Sequence, residues 1–371
     1  MPHWIWQYPE WPAFRWDAAA LSPQLARARL EQGRLLGMGC LLDAGLSREA
    51  QARILVAEGI NTDAIEGEHP DPDTVRSSVA RHLGLSVAGL PAPSRAVDGL
   101  VEVLLDATTG FERPLTLARL CGWQAALFPG GHSSLHTILV GELRGEAPMK
   151  VVSGPLEREK VHFEAPPRLG LEEELAVFLT WFGQPPARLD GLLRAGLAHL
   201  WFVTLHPFED GNGRLARALT DMALCRDENQ PVRLFSLSAR LMAVRDGYYD
   251  ALEHTQRGNL DVTPWLAWFL EQVAVACQEA ETTMGLVLAK ARFWLRHQLT
   301  MLNERQRKVL NRLLDAGPEG FEGGMNTRKY VSLARVSRAT AYRELADLVD
   351  KGCLAPLGSG RGAGYAIRWE A

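Results

Sequence analysis

The 371-residue sequence has only five cysteines, Cys40, Cys121, Cys225, Cys277 and Cys353, odd in number, scattered and without a C-x-x-C pair. That argues against a disulfide framework and a zinc knuckle, and for a reducing compartment. No apolar run is long enough to cross a bilayer. The start, MPHWIWQYPEWP, lacks the basic region and apolar stretch of a secretory signal, so a soluble, cytoplasmic protein is expected. Charge of one sign is missing too. The formal net charge of −4 gives no global field towards nucleic acid or anionic lipid, so any such partner needs a local patch. There is no G-x-x-x-x-G-K-[ST] and no H-E-x-x-H, which removes the P-loop and zinc-protease readings. Repeats and low-complexity tracts are also absent. What is present is a 47% hydrophobic fraction, enough for real cores. The length suggests two or three domains of ~100–200 residues.

Helical spacing dominates the chain. Trp4, Trp6, Trp11 and Trp16, set among prolines, suggest an extended arm that packs its rings on a domain surface. Apolar residues recur at threes and fours from Ser22 to Leu42, and Ser47 reads as the N-cap of a second helix reaching Gly67. Proline breaks follow at HPDPD (His69 to Asp73) and PAPS (Pro91 to Ser94). Residues 95–128 read as helices. MKVVSG and KVHFEAP, β-branched runs around a Gly-Pro turn, predict one isolated hairpin over residues 150–162. Helix returns from Pro167 to about Leu302. Residues 304–371 hold twelve Lys and Arg against eight Asp and Glu. There MNTRKYVSLARVSRATAYRELADLVDKGCL reads as helix, turn, helix, with Ser337 as cap and Gly352 as stop. LGSGRGAGYAI then reads as a Gly-rich hairpin, completing a winged helix-turn-helix pattern.

The densest chemistry lies in HPFEDGNGRLAR, His206 to Arg217. A buried helix over 192–205 delivers His206 at its end, and Pro207 breaks it. Asp210-Gly211-Asn212-Gly213 reads as a turn with two residues free to take positive φ, after which Arg214 opens a helix. A Gly-rich turn at a helix N-terminus is an anion site. Arg214 and Arg217, three apart, add two cations on one face. Asp210 beside phosphates suits Mg²⁺, and His206 is the group with a near-neutral pKa able to take a proton from a hydroxyl.

The twelve residues resemble the signature of the Fic family, H-P-F-x-[DE]-G-N-G-R-x-x-R, with every fixed position filled. The aromatic N-terminus, the hairpin and the terminal winged helix are similar to those of multi-domain bacterial Fic proteins. The resemblance implies a mainly α protein: a helical Fic core with a β-hairpin flap, plus a C-terminal winged helix-turn-helix. Its domains would be residues 1–95 (arm and inhibitory helix), 96–290 (Fic domain) and 291–371 (winged helix). It implies transfer of AMP from ATP to a Ser, Thr or Tyr hydroxyl of a target protein. His206 would be the general base and Asp210 the Mg²⁺ ligand. Gly211, Asn212 and Gly213 would form the anion hole for the α-phosphate. Arg214 would hold the β- and γ-phosphates and Arg217 the γ-phosphate, with Phe208 a core anchor. The 150–162 hairpin would be the flap on which the target segment docks.

NTDAIEG, Asn61 to Gly67, resembles the family's inhibitory motif, [ST]-x-x-x-E-[GN], with Thr62, Glu66 and Gly67 in place. Gly67 reads as a C′ residue, so Glu66 lies at a helix C-terminus, where a negative charge opposes the dipole by about 0.3–1 kcal/mol. A cation should compensate, and the resemblance suggests Arg217. That pair would deny Arg217 to the γ-phosphate. In some relatives the same Glu serves AMP removal, so deAMPylation stands as an alternative, and a nucleotide-sensing DNA-binding regulator as another. Tyr248 and Tyr249 are placed to line a nucleotide pocket or to pack in the core. His132 and His136 read as loop residues rather than metal ligands, and His199 as packing. The winged helix, with Arg338, Thr340 and Arg343 early on its second helix and Arg361 in the wing, could serve DNA, but its modest charge favours a protein or dimer contact.

Overall fold

A computed structural model describes residues 3–133, 136–153, 160–317, 320–321, 323–358 and 364–369. The chain divides into two compact units, Met1–Ala280 and Glu281–Ala371. Helices dominate both, and every described strand belongs to a two-stranded antiparallel pair. Among the described residues, no helix is long and apolar enough to cross a membrane.

The first unit opens with an arm containing one 3-10 turn, Ile5–Gln7. Then come α1 (Ala18–Gly39), α2 (Ala44–Ile65), α3 (Pro72–His82), α4 (Arg95–Thr109) and α5 (Leu117–Leu127). The α2 helix starts before Ser47, because Asp43 accepts hydrogen bonds from the amides of Gly45 and Leu46 and is the true N-cap. A small ladder pairs β1 (His132–Ser133) with β2 (His136–Thr137), so the two histidines do not share a helix face. Among the described residues, no group of His, Cys, Asp and Glu is arranged to hold a metal.

The predicted hairpin forms as β3 (Lys150–Ser153) with β4 (Lys160–Glu164). Its connection, residues 154–159, lies outside the described residues. The arm covers one face of it. Trp4, 4% exposed, meets Phe163 edge-on at 5.3 Å, and Trp6 donates its indole N–H to the Glu164 carbonyl at 2.8 Å. The tryptophans therefore supply the apolar partner that an isolated two-stranded ribbon lacks.

Next are α6 (Leu171–Gly183), α7 (Gly191–Leu205), α8 (Asn212–Glu228), α9 (Leu237–Ala243) and α10 (Arg245–Gln256). The α7 helix is buried along nearly its whole length, because α8 packs along it. The segment joining this pair is the candidate site. A long helix, α11 (Thr263–Arg296), has residues in both units.

The second unit holds α12 (Glu304–Asp315), α13 (Thr327–Ala334), α14 (Arg338–Asp350), β5 (Leu354–Leu357) and β6 (Gly364–Ile367). Leu310, Leu314, Tyr330, Leu345 and Leu348 are among its core residues. Ser337 caps α14 by accepting from the Thr340 amide at 3.2 Å, and Gly352 takes the φ of +70° that ends it. Arg361 lies outside the described residues.

Candidate active site

The α7 helix stops because His206 turns left-handed, at φ 49° and ψ 57°. A non-glycine residue there is strained by about 1 kcal/mol or more, so neighbours must hold it. Arg144 does so. Its Nε donates to the His206 carbonyl at 2.8 Å, its Nη2 to Pro166 O at 2.6 Å, and its own amide to Pro207 O at 3.0 Å. Phe208 is fully buried, as an anchor should be. The Asn212 carboxamide closes the turn twice, accepting from the Phe208 amide at 3.0 Å and donating to the Phe208 carbonyl at 2.8 Å. That clip pulls Asn212 into helical position. The helix thus opens at Asn212 rather than Arg214, with Gly211 (φ +89°) as N-cap. Of the two glycines only Gly211 uses positive φ; Gly213 sits in the first turn of α8. Asp210 accepts from the Gly211 amide at 2.5 Å and from the Ser133 hydroxyl.

The end of α2 lies across this first turn. Arg217, buried, donates from Nη2 to Glu66 Oε1 at 2.8 Å and from Nε to the Thr62 hydroxyl at 2.7 Å. Burial opposes its charge, but the Glu66 carboxylate holds its pKa above the ordinary value. Its Nη1 is buried without a hydrogen-bond partner. The Glu66 carboxylate also rests against Gly213, where an added Cβ would collide with it. Arg214 has a partner on the same helix: its Nη1 meets Asp63 Oδ1 at 3.2 Å, and its guanidinium lies 4.8 Å from the Phe128 ring centroid. Burial raises the Asp63 pKa against the pull of Arg214. Both arginines of the motif are therefore engaged by acids of α2.

Glu66 is the C-cap of α2, and Gly67 follows at φ +87°. The cation needed at that negative helix end is doubled. Besides Arg217, Arg245 donates to the last carbonyl, Ile65 O, at 2.8 Å, and the Tyr249 hydroxyl donates to the same oxygen at 3.1 Å.

A cavity of about 500 Å³ opens here, lined among others by Glu66, His206, Gly213, Tyr248, Tyr249 and Gln256. Its size suits a nucleotide-sized ligand. The His206 pKa is lowered by burial, with the Arg144 charge adding, against the raising effect of the Val203 carbonyl and Glu66. Nδ1 lies 3.2 Å from Val203 O, which assigns the proton to Nδ1 and leaves Nε2 as acceptor. Tyr248 lines the cavity with its ring, while its hydroxyl bonds His199 Nε2 at 2.8 Å. His199 is fully buried against Thr220, and burial lowers its pKa to about 3, which fits a packing role. Across the cavity, the Ser153 hydroxyl of β3 meets His162 Nε2 at 2.6 Å, and His162 Nδ1 meets Glu253 of α10 at 2.6 Å. This relay ties the hairpin to the pocket wall.

The structure thus gathers His206, Glu66, Gly213, Tyr248 and Tyr249 on one cavity, with Thr62 and Arg217 directly behind. Sequence reasoning missed Arg144, Asp63 and Arg245. Asp63 was findable, since it lies three residues before Glu66 on a helix and repeats its charge. Arg144 sits in irregular chain with no periodic signal.

Residues 114–224 match the family model described as the Fic/DOC family, and residues 4–85 match a domain of unknown function, DUF4172. "Protein adenylyltransferase fic-1" of Caenorhabditis briggsae is 35% identical over 89 residues, 24% of this chain and 16% of that protein. "Protein adenylyltransferase Fic" of Nematostella vectensis is 33% identical over 97 residues, 26% of this chain and 21% of that protein. The matched stretch spans only that small share of these relatives. A solved Fic family protein from Desulfovibrio desulfuricans G20 superposes at a TM-score of 0.56 and 18% identity, covering 96% of this chain and 98% of its own. A solved fic-1 fragment from C. elegans gives 0.51 and 19%, covering 72% of this chain and 74% of its own. These structural likenesses carry the fold. The Fic/DOC match covers the α7–α8 corner from His206 to Arg217, so residues 114–224 of this chain form a Fic/DOC-family domain.

Proposed function

We propose that the chain is a protein adenylyltransferase that transfers AMP from ATP to a hydroxyl of a target protein and rests in a state held by Glu66. The observation that carries this reading is the double engagement of Arg214 and Arg217 by Asp63 and Glu66 beside a neutral His206. In the working state, the target hydroxyl attacks the α-phosphorus and gives its proton to His206 Nε2, while pyrophosphate leaves in line. The first-turn amides of α8 hold the α-phosphate, and Arg214 and Arg217 orient the β- and γ-phosphates. The Asn212 carboxamide, committed to Phe208, contributes only by shaping the turn. The edge of β3 and β4 aligns the target segment.

Asp210 offers one carboxylate at the N-terminus of α8, a donor set that fits Mg²⁺ sharing its other oxygens with phosphates and water. The ion would neutralise charge on the phosphates, with Asp210 as its protein ligand.

The relatives named adenylyltransferases support the chemical class. The test is incorporation of α-³²P label from ATP into protein. Wild type, Glu66→Gly and Glu66→Gly/His206→Ala are compared. Labelling should rise on the order of 10²-fold in the single mutant, the scale of one electrostatic clamp, and vanish in the double. Silence in all three would overturn the reading. The Glu66 carboxylate on the cavity wall also favours a second reading, AMP removal with Glu66 orienting a water. In that case Glu66→Gly would lose hydrolysis of an AMP-modified protein rather than gain transfer.

A further inference from the structure

We propose that the second unit binds duplex DNA through the outer face of α13 and α14. The total charge of this region hides how that charge is distributed. On α14, Ala341, Glu344, Leu345 and Leu348 face the core. The opposite face exposes Arg338, Ala339, Tyr342, Arg343 and Ala346. Arg335 in the turn and Arg328 on α13 are exposed as well.

None of Arg328, Arg335, Arg338 and Arg343 has an acid within ion-pair distance among the described residues. The nearby acids are engaged elsewhere. Glu344 takes Arg305, Asn303 and the Tyr330 hydroxyl, and Asp347 takes Lys351 and Gln306. Asp350 lies at the C-terminal end of α14, away from Arg338. An open concavity of about 900 Å³ against α12 and α13, lined by Arg312, Asn326, Arg328 and Ser332, extends the donor-rich surface.

Four guanidinium groups without an acid partner among the described residues, on two short helices and the turn between them, suit phosphates and guanine edges, to which arginine donates in pairs. The alanines keep the α14 face slim enough for a major groove about 12 Å wide. The deep, narrow groove of A-form RNA does not admit a helix. Tyr342, 66% exposed, is a large aromatic with no packing reason to face outward; beside a base edge or thymine methyl it has one. A three-residue turn before α14, whose N-terminal residues lead, is the docking geometry of a recognition helix.

The experiment is fluorescence anisotropy of the full chain with a labelled mixed-sequence duplex, titrated across salt from ~50 to ~200 mM. We expect binding at the low end and a log–log salt slope of about −3 to −4, from roughly 0.9 per arginine–phosphate contact. Arg338→Glu/Arg343→Glu should weaken binding more than ~10-fold, and the milder Arg328→Ala/Arg335→Ala should flatten the slope by about two. Both should keep the wild-type melting temperature, and Arg188→Glu in the first unit should bind as wild type. The proposal is overturned by absence of duplex binding at low salt, by equal loss in Arg188→Glu, or by preference for single strands, an RNA hairpin or an acidic polypeptide over duplex.

Discussion

His206, the proposed base, must be uncharged to act, and its surroundings favour the uncharged form. Burial is the largest influence on it and the Arg144 cation adds to it; both destabilise the imidazolium, whereas the Glu66 carboxylate works the other way. Removing Glu66 therefore lowers the His206 pKa further. The acid limb of kcat/KM for transfer by Glu66→Gly, which reports the free enzyme, should fall at a pH below the ordinary 6.5 of histidine. A limb centred at or above that value would mean that solvent, not burial, sets this group. Arg144 acts at the same residue through the backbone, holding the left-handed turn at the His206 and Pro207 carbonyls while its Nη2 is anchored on Pro166 O.

At the scale of elements, the hairpin matters because two others hold it. From one side comes the aromatic arm, through Trp4 and Trp6. From the other comes α10, through Glu253 and His162. Trp4→Ala removes the ring that covers Phe163, a truncation that costs about 3–5 kcal/mol in a well-packed site. Amide exchange in β3 and β4 should then speed up by at least ~10², while α7 and α8 keep their protection, since local opening follows local contacts. Unchanged exchange in the hairpin would show that α10 alone suffices. How much of this was legible depended on where the signal was stored. The hairpin, the α7–α8 corner and the place of Glu66 at the end of α2 beside Arg217 were readable because alternation, helical stripes and a fixed motif are local patterns. The start of α2 was misplaced by choosing Ser47 over Asp43, two equally good caps between which only the fold decides. The links Arg144–His206, Arg245–Ile65 and Ser153–His162–Glu253 join residues far apart in sequence, and no local pattern marks them.

Within the first unit as a whole, release of the proposed brake is a question of what can move. The α2 helix is not free to swing. Ile65 is fully buried, and Glu58 accepts from the Ser236 hydroxyl at 2.6 Å and the Ser238 amide at 3.1 Å at the start of α9. Undocking it would strand those buried donors, at about 1–3 kcal/mol each. Arg217 is also fixed, with its side chain 2% exposed, whereas the Glu66 side chain is 32% exposed. Under the proposed function the partner that moves is Glu66, by a side-chain rotation away from Gly213 and Arg217. This yields a test that needs no target protein. If Glu66 and the γ-phosphate compete for Arg217, then ATP with Mg²⁺ should raise the melting temperature of Glu66→Gly more than that of wild type. A ligand at ~100 times its Kd stabilises the fold by about 2.7 kcal/mol, so a ten-fold affinity gain is worth about 1.4 kcal/mol and is visible as a shift of a few degrees. ADP, lacking the γ-phosphate, should stabilise both forms alike. Equal shifts with ATP would place the competition elsewhere, and a difference that persists with ADP would move it from Arg217 to Arg214 and its partner Asp63.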